Sequence, residues 1–501
     1  MQKFWAVTLM LTICFHFLFA QESVPGKAQE SVPGKGYLVE SISMKDCLLR
    51  AVENNLDLES EGYNPKIKEF DLTYARSEFD PFFTTSSTFA GSREDPDDRN
   101  RSELQIGIQK KHLLGGTVGL FYEMEYNKQE TQDSRWQQGV YFSITQPLLR
   151  NLGIATNQAS VYLAQNSLDQ SFYDFENQVI TVLANVQIAY WNLVNARASY
   201  ELRRKSMELT ENLYKITLAR IKAGSLAAAD ILDVERNLAS KRDSLIVAEK
   251  DVYDAEDNLK KLIKPLDLNY YKNVRLIPTE LPVLHRIQIN FEECLKYALE
   301  HRPDIESARL SIKNAGINAD TYKNRLLPKL DLSAIVGLVG ESGKSIEAWD
   351  HLADADYPYW QLRLSLEVPL GNRGARSRYE KALLEKRQVL VRYKTVENQI
   401  ITDVRSTIRE VETSVLHVET AQLTRELAEK QLANEENKFR AGIITLFQVQ
   451  DTEQKLTEAS ITESNALLDL QRALVRMERA KGSLLQSIRK YDVNFDFKKK
   501  R

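Results

Sequence analysis

Lys430-Gln-Leu-Ala-Asn-Glu-Glu-Asn-Lys-Phe-Arg-Ala-Gly442-Ile-Ile-Thr-Leu-Phe-Gln-Val-Gln-Asp451 decides how this chain is read. A long helical pattern arrives at Arg440, Ala441-Gly442 interrupts it, and a second helical pattern leaves from about Thr445. Glycine adopts the left-handed conformation that ends a helix without a Cβ penalty, so the stretch predicts a tight helix–turn–helix tip. The same tip stands earlier in the chain, as Ala219-Arg-Ile-Lys-Ala-Gly224-Ser-Leu-Ala-Ala-Ala-Asp230-Ile-Leu-Asp-Val-Glu235. Aligning Gly224 with Gly442 also aligns Ala223 with Ala441, Glu235 with Glu453 and Leu238 with Leu456. Two such tips imply that the chain was built twice.

Working outward, the duplication continues to both sides. Ile42-Ser-Met-Lys-Asp-Cys-Leu-Leu-Arg-Ala51 matches Ile289-Asn-Phe-Glu-Glu-Cys-Leu-Lys-Tyr-Ala298, with Ser43 and Asn290 as helix caps. Cys47 and Cys294 are equivalent and read as small buried apolar residues; a disulfide between them is not implied. Asp57 and Asp304, then Pro81 and Pro328, keep the same offset of 247 residues. Helical patterns run over about Leu56 to Phe79 and Asp304 to Leu327, and the two prolines end them.

After each proline the period changes from 3.6 to 2. In Tyr359-Trp-Gln-Leu-Arg-Leu-Ser-Leu-Glu-Val368, Trp360, Leu362, Leu364, Leu366 and Val368 share one face, and Gln361, Arg363, Ser365 and Glu367 share the other. That is the pattern of a strand with one face to lipid and one to a polar lumen, and also of a soluble sheet with one wet face. Trp136, Tyr141, Trp349, Tyr357 and Tyr359 near strand ends favour a membrane girdle. The first half carries more sheet: 103–109 and 118–126 alternate and meet at Gly115-Gly116 as a hairpin, and 141–146 adds another strand. Pro147 pairs with Pro369 at an offset of 222, so the first half holds about one extra hairpin. Residues 92–101 and 340–356 read as exposed loops.

The longest helical stretches follow the sheets, 157–222 and 373–440, each roughly 100 Å at 1.5 Å per residue. Helices of that length need coiled-coil packing. The returning helices, 226–263 and 445–485, keep heptads such as Val234, Leu238, Leu245, Val252, Leu259 and Val449, Leu456, Leu470, Met477, Leu484. The two shorter helices of each repeat together match its long one, which predicts a long hollow or solid cylinder with strands at one end and glycine tips at the other. The domains are then repeat one over 42–288 (strands 82–146, long helix 157–222, tip 223–225, helix 226–263) and repeat two over 289–486 (strands 329–368, long helix 373–440, tip 441–443, helix 445–485).

The ends carry addresses and tails. Lys3 followed by the apolar run to Phe19 and Leu18-Phe19-Ala20 predicts a cleaved signal peptide over 1–20. Residues 21–41 read as a flexible leader containing the tandem copies Gln21-Glu-Ser-Val-Pro-Gly-Lys27 and Gln29-Glu-Ser-Val-Pro-Gly-Lys35. Residues 487–501 form a basic tail. No other stretch approaches ~18 uninterrupted apolar residues, so no helical membrane span is expected. The 501 residues carry a formal net charge of −3, which gives no global basic field for nucleic acid. Only 20 glycines and 13 prolines interrupt the chain, in keeping with long helices.

This pattern resembles the TolC-like outer membrane efflux protein family. The resemblance rests on the duplicated cysteine helices, Tyr141-Phe-Ser-Ile-Thr-Gln-Pro-Leu-Leu149, Leu364-Ser-Leu-Glu-Val-Pro-Leu-Gly371 and the two Ala-Gly tips, over about Ile42 to Gln486. It implies a homotrimer, with a transmembrane β-barrel in the outer membrane lipids continuing into a periplasmic α-helical barrel. It implies docking on a periplasmic adaptor and an inner-membrane transporter, and outward export of small molecules or polypeptides. Ala223, Gly224, Ser225, Ala441, Gly442 and Ile443 would be the adaptor-docking tips. Gln448 and Asp451, with Asp230 in the first repeat, would line the pore constriction; an amide at Gln448 in place of a carboxylate weakens that ring. Phe439 and Ile444 stand where some members place polar closing contacts. Pro81, Pro147, Pro328 and Pro369 would mark the strand–helix junctions. The remaining readings are a periplasmic coiled-coil adaptor and a structural coiled-coil protein, both of which the alternating strands oppose.

Enzyme chemistry finds no support. Gly337-Leu-Val-Gly-Glu-Ser-Gly343-Lys-Ser345 imitates a phosphate loop, but the glycine needed five residues before Gly343 is Leu338. The six histidines at 16, 112, 285, 301, 351 and 417 have no ligand spacing, and no CxxC, HExxH or GxSxG is present. No catalysis, cofactor or metal is expected.

Overall fold

The computed structural model describes Glu30–Ser31 and residues 37–92, 99–129, 132–223, 230–284 and 288–489. In chain order its elements are β1 (Glu30–Ser31), β2 (Leu38–Ile42), α1 (Met44–Asn54), α2 (Leu56–Ser77), β3 (Phe82–Ser92), β4 (Arg99–Lys111), β5 (Thr117–Gln129), β6 (Gln132–Pro147), α3 (Ile154–Asn157), α4 (Ala159–Lys222), α5 (Asp230–Ile263), α6 (Leu268–Asn273), β7 (Val274–Pro278), α7 (Phe291–His301), α8 (Pro303–Asn324), β8 (Lys329–Ser342), α9 (Ser345–Ala353), β9 (Tyr357–Glu367), α10 (Arg373–Arg440), α11 (Leu446–Lys481) and α12 (Leu484–Arg489). They fall into two compact units. One holds Met1–Asn55, Asn185–His285 and Ser414–Arg472; the other holds Leu56–Ala184, Arg286–Thr413 and Ala473–Arg501.

In the first unit, β2 runs parallel to β7 and antiparallel to β1. Residues 38–41 are therefore strand, which corrects the reading of a flexible leader reaching to residue 41; residues 21–29 and 32–36 lie outside the described residues. Helix α1 starts with a reciprocal capping box between Ser43 and Asp46, and the Glu280 carboxylate accepts the Met44 N–H at 3.0 Å. Its buried face is Met44, Cys47, Leu48 and Ala51. Behind β7, Lys260 is fully buried and donates to the carbonyl of Val274 at 2.7 Å, and Glu256, also fully buried, accepts from Arg197 at 2.8 Å and Arg275 at 3.3 Å. Every one of these charges has a partner, as burial requires. Cys47 and Cys294 are both free and buried.

In the second unit, six strands form one antiparallel sheet in the order β3-β4-β5-β6-β8-β9. The first half supplies four strands and the second half two. The β4–β5 turn spans His112 to Gly116, closed by His112 N–H to Gly116 O at 2.9 Å. Below the sheet, Cys294, Ala298, Ile305, Ile400, Val404, Ile408 and Ala480 make a buried core between helices. Arg302 ties it, donating to Asp304 at 2.7 Å, to Asp403 at 3.3 Å and to the carbonyl of Ala480 at 3.2 Å. One stretch of α4 is long and apolar enough to cross a membrane. Its Val179, Leu183, Val186, Tyr190 and Leu193 are buried, so that apolar content is core.

Three sequence readings are corrected here. Residues 340–356 are not a loop. They hold the end of β8 and then α9, whose Ala348 and Leu352 are buried. Arg99 to Arg101 belong to β4, while 93–98 lie outside the described residues. The helix read as 445–485 breaks at Gly482 (φ 78°), where the Gly482 and Ser483 N–H groups return to Arg479 and Glu478 carbonyls; α12 follows and takes in 487–489 of the expected tail.

Candidate functional site

The described tip is built by hydrogen bonds that the sequence dictates. Gly442 sits at φ 74°; its N–H reaches the Phe439 carbonyl at 3.0 Å, and the Ile443 N–H reaches the Lys438 carbonyl at 3.0 Å. This crossed pair satisfies the last carbonyls of α10 and needs a residue without Cβ. Thr445 then caps α11. The Gln448 side-chain oxygen accepts the Thr445 N–H at 3.0 Å, the return half of a Thr-x-x-Gln box. Gln448 thus has a local job in starting the helix. Asp451, one turn on, is half exposed, and Lys455 donates to its carboxylate at 2.6 Å. Ile443 and Phe447 are exposed apolar side chains beside Ala441 and Gly442, while Phe439 lies under the guanidinium of Arg220 at 4.9 Å.

The first tip is described only at its margins. Ala223 N–H closes the end of α4 on the Ala219 carbonyl at 3.0 Å. Gly224 and Ser225 lie outside the described residues. Asp230 is the first residue of α5.

Sequence reasoning missed a buried ion pair near the tip. Glu453 is buried and accepts from Lys241 at 3.0 Å, Ser206 at 2.6 Å and Thr457 at 3.0 Å, joining α4, α5 and α11. Its repeat partner Glu235 is exposed and accepts from Tyr214 at 3.3 Å. The two repeats agree in sequence there and differ in environment. The only signal was Lys241, a charge at the seam position between Leu238 and Leu245 where the heptad calls for an apolar residue.

The second candidate surface is the sheet. Its registers put Arg101, Glu103, Gln105, Glu123, Glu125, Gln137, Ser143, Ser333 and Arg363 on one face, and Leu104, Ile106, Ile108, Leu120, Phe142, Ile144, Val336, Leu362 and Leu364 on the other. Ion pairs line the polar face: Arg101 with Glu125 at 2.9 Å and Arg135 with Glu341 across strands, and Arg101 with Glu103 at 3.3 Å along β4. The girdle reading is corrected for three residues. Tyr141, Tyr357 and Tyr359 share the polar face, and the Tyr141 ring lies over Gly139 and Gly337, where any Cβ would collide with it. Trp136 and Trp360 do stand on the apolar face. Trp136 packs on Tyr126 at 4.6 Å, and Trp349 of α9 meets Tyr122 edge-on at 6.0 Å. Helix α9 lies on this apolar face. Gln138 donates to the Ser345 carbonyl at 2.9 Å, and Gly340 lets the backbone of Ala348 approach.

The prolines sit where strand and helix exchange. Pro147 ends β6 opposite Asp331, and Pro81 and Pro328 each precede the first residue of a strand; the helices themselves stop four residues earlier, at Ser77 and Asn324. After Pro147 and Pro369 the chain turns through left-handed asparagines, Asn151 (φ 65°) and Asn372 (φ 43°). Both rest on the end of α8: Asn151 N–H donates to Asn324 at 2.7 Å, and the Asn372 side chain donates to the Leu326 carbonyl at 3.0 Å. Among the described residues no group of His, Cys, Asp and Glu could hold a metal ion.

A two-faced antiparallel sheet and duplicated pairs of long helices are the parts of an outer membrane channel of the efflux class. The chain belongs to the outer membrane efflux protein family, whose profile matches residues 103–263 and 294–483. It is 24% identical over 345 residues to the pyoverdine export outer membrane protein OpmQ of Pseudomonas aeruginosa, covering 66% of this chain and 68% of that protein. Its fold is similar to the outer-membrane channel OprN (TM-score 0.67, 16% identity, 88% and 90% of the two chains) and to the CmeC outer membrane channel of Campylobacter jejuni (TM-score 0.66, 16% identity, 95% of each). The protein is an outer membrane efflux channel, with the mixed helix-and-sheet architecture that the duplicated pattern predicts.

Proposed function

We propose that this chain acts as a homotrimer that carries small molecules or polypeptides across the outer membrane, loaded through a periplasmic adaptor by an inner-membrane transporter. The observation that carries the reading is the sheet: β4, β5, β6, β8 and β9 keep an apolar face opposite a polar face that carries paired charges. A soluble protein would leave that apolar face in water, whereas a bilayer covers it. The adaptor would meet Ala441, Gly442, Ile443 and the exposed Phe447, together with Ala223, Gly224 and Ser225 at the first tip. Two exposed apolar side chains on a hydrogen-bonded turn form a contact patch for a partner helix or loop.

Asp451 is the pore-ring residue of this reading, with Gln448 shaping the helix that presents it and Asp230, which aligns with Gln448 when the two tips are superposed, as the first-repeat member. Three carboxylates in a ring favour cations, and each is partly offset by its own Lys455. In planar bilayers, Asp451→Asn lowers the cation preference of the channel and Lys455→Gln raises it. Ion selectivity unmoved by both substitutions removes Asp451 from the constriction.

A further inference from the structure

The two outer strands of the sheet are its least protected. β3 pairs with β4 and β9 with β8, and each leaves its other side open among the described residues. Both are 11 residues long, and nearly every residue in them is exposed. β3 reads Phe82-Phe-Thr-Thr-Ser-Ser-Thr-Phe-Ala-Gly-Ser92, without a charge or a proline to block further pairing. In hydrocarbon no backbone group is left unpaired, so both edges must find a ladder partner. One chain cannot pair β3 with β9 and remain a duct. Eight strands already make an interior that side chains fill, and this sheet has six. Five successive antiparallel ladders leave β3 and β9 running in opposite directions. Hence β9 of one copy can accept β3 of the next, a head-to-tail contact that closes into a ring.

The β4–β5 hairpin sits inside this sheet, between β3 and β6, and is patterned like its neighbours. Leu104, Ile106 and Ile108 on β4 and Leu120 and Met124 on β5 continue the apolar face. Glu103, Gln105, Glu123 and Glu125 continue the polar one. A hairpin projecting into water would have no use for the apolar set. On the polar side its one large apolar ring, Phe121, lies across Gly107 and Gly119, where a Cβ at either glycine would strike it. The wall is thereby kept flat. Both ends of the hairpin leave from the same rim, at Ser92 to Arg99 and Gln129 to Gln132, so it reads as a stave added to a sheet that is complete without it.

We propose that the β4–β5 hairpin is a transmembrane stave, and that three copies close an eighteen-stranded barrel, six strands from each. Without the hairpin each repeat would supply two strands and the barrel would hold twelve. Barrel diameter grows about linearly with strand number, so the outer-membrane segment is about half again as wide. Its lumen is a water-filled mouth lined by Arg101, Glu103, Glu123 and Glu125, suited to bulky hydrated cargo, and the outer membrane segment is not what limits passage. This inference rests on the trimeric reading above.

The test places spin labels on Gln105→Cys and Ile108→Cys of the full-length protein in liposomes, with Leu120→Cys and Glu123→Cys as a second pair should the first fail to fold. Cys47 and Cys294 are buried and stay unlabelled, and Cys14, within the expected signal peptide, is replaced by Ser. The labels at 108 and 120 are expected to be relaxed by lipid-dissolved oxygen, at least several-fold more than those at 105 and 123. The labels at 105 and 123 are expected to respond to an aqueous nickel chelate. All four responding to the chelate would put the hairpin outside the bilayer and overturn the inference while leaving the channel reading intact. Native mass spectrometry on the same samples counts subunits. Three supports eighteen strands; any other number overturns the count together with the trimer.

Discussion

Single residues decide what the tip can and cannot do. Lys241 and Glu453 are both mostly buried, so removing one partner strands the other charge. Lys241→Ala is expected to destabilise the helical part by about 3 kcal/mol, and Lys241→Met with Glu453→Leu to restore most of it. Chemical unfolding of the purified protein compares them; equal stability of all three would mean that the pair is solvated. The cysteines are the free, buried, small apolar residues that their helical context predicts. Burial pushes the Cys47 thiol well above its ordinary range, so it stays protonated at neutral and mildly basic pH. Alkylation at pH 8 is expected to leave Cys47 unmodified in the native protein and to modify it fully after denaturation, read by mass spectrometry. At this scale the sequence was partly legible. Gly442 and the Thr445–Gln448 box follow from local rules. The Glu453 pair does not, because its partners come from helices that are distant in sequence, and only packing brings Ser206 and Lys241 to it.

Elements were easier to read where a period ran long, and harder where an element was short. The helices α4 and α10 and the alternation of β4, β5, β8 and β9 are strong periodic signals. β2 and β7 have five residues each, and their pairing joins Leu38–Ile42 to Val274–Pro278, so neither half declares itself alone. Helix α9 was hidden because Ser-Ile-Glu-Ala-Trp-Asp-His-Leu-Ala mixes acids with apolar residues at a spacing shorter than three turns. Its seat explains Gly340. A valine there would drive its side chain into the Ala348 backbone, so Gly340→Val is expected to cost about 1–3 kcal/mol and lift the helix. Proteolysis in the 345–353 segment should accelerate; an unchanged rate would show that α9 does not depend on this notch. The face assignment of Tyr141, Tyr357 and Tyr359 also escaped sequence reasoning, since an aromatic near a strand end fits either side until register and the glycines beneath it are known.

At the scale of the whole molecule, duplication was the most legible feature and subunit assembly the least. Paired cysteine helices, paired prolines and paired tips state that the chain repeats. The drop in offset from 247 to 222 states that one repeat is longer. Where the additional strands go was not legible, because a hairpin has the same alternation whether it extends a sheet or leaves it; the ladders to β3 and β6 place it in line. Among the described residues the exposed, uncharged edge of β3 has no ladder partner and the apolar band is covered only where α9 lies on it, and both demand neighbours. Single-particle electron cryo-microscopy of the full-length protein in lipid nanodiscs tests that demand most directly. The account predicts a threefold-symmetric hollow assembly whose strands cross the membrane belt and whose helices extend away from it. A single chain, or a solid helical rod with no strands in the belt, would contradict it.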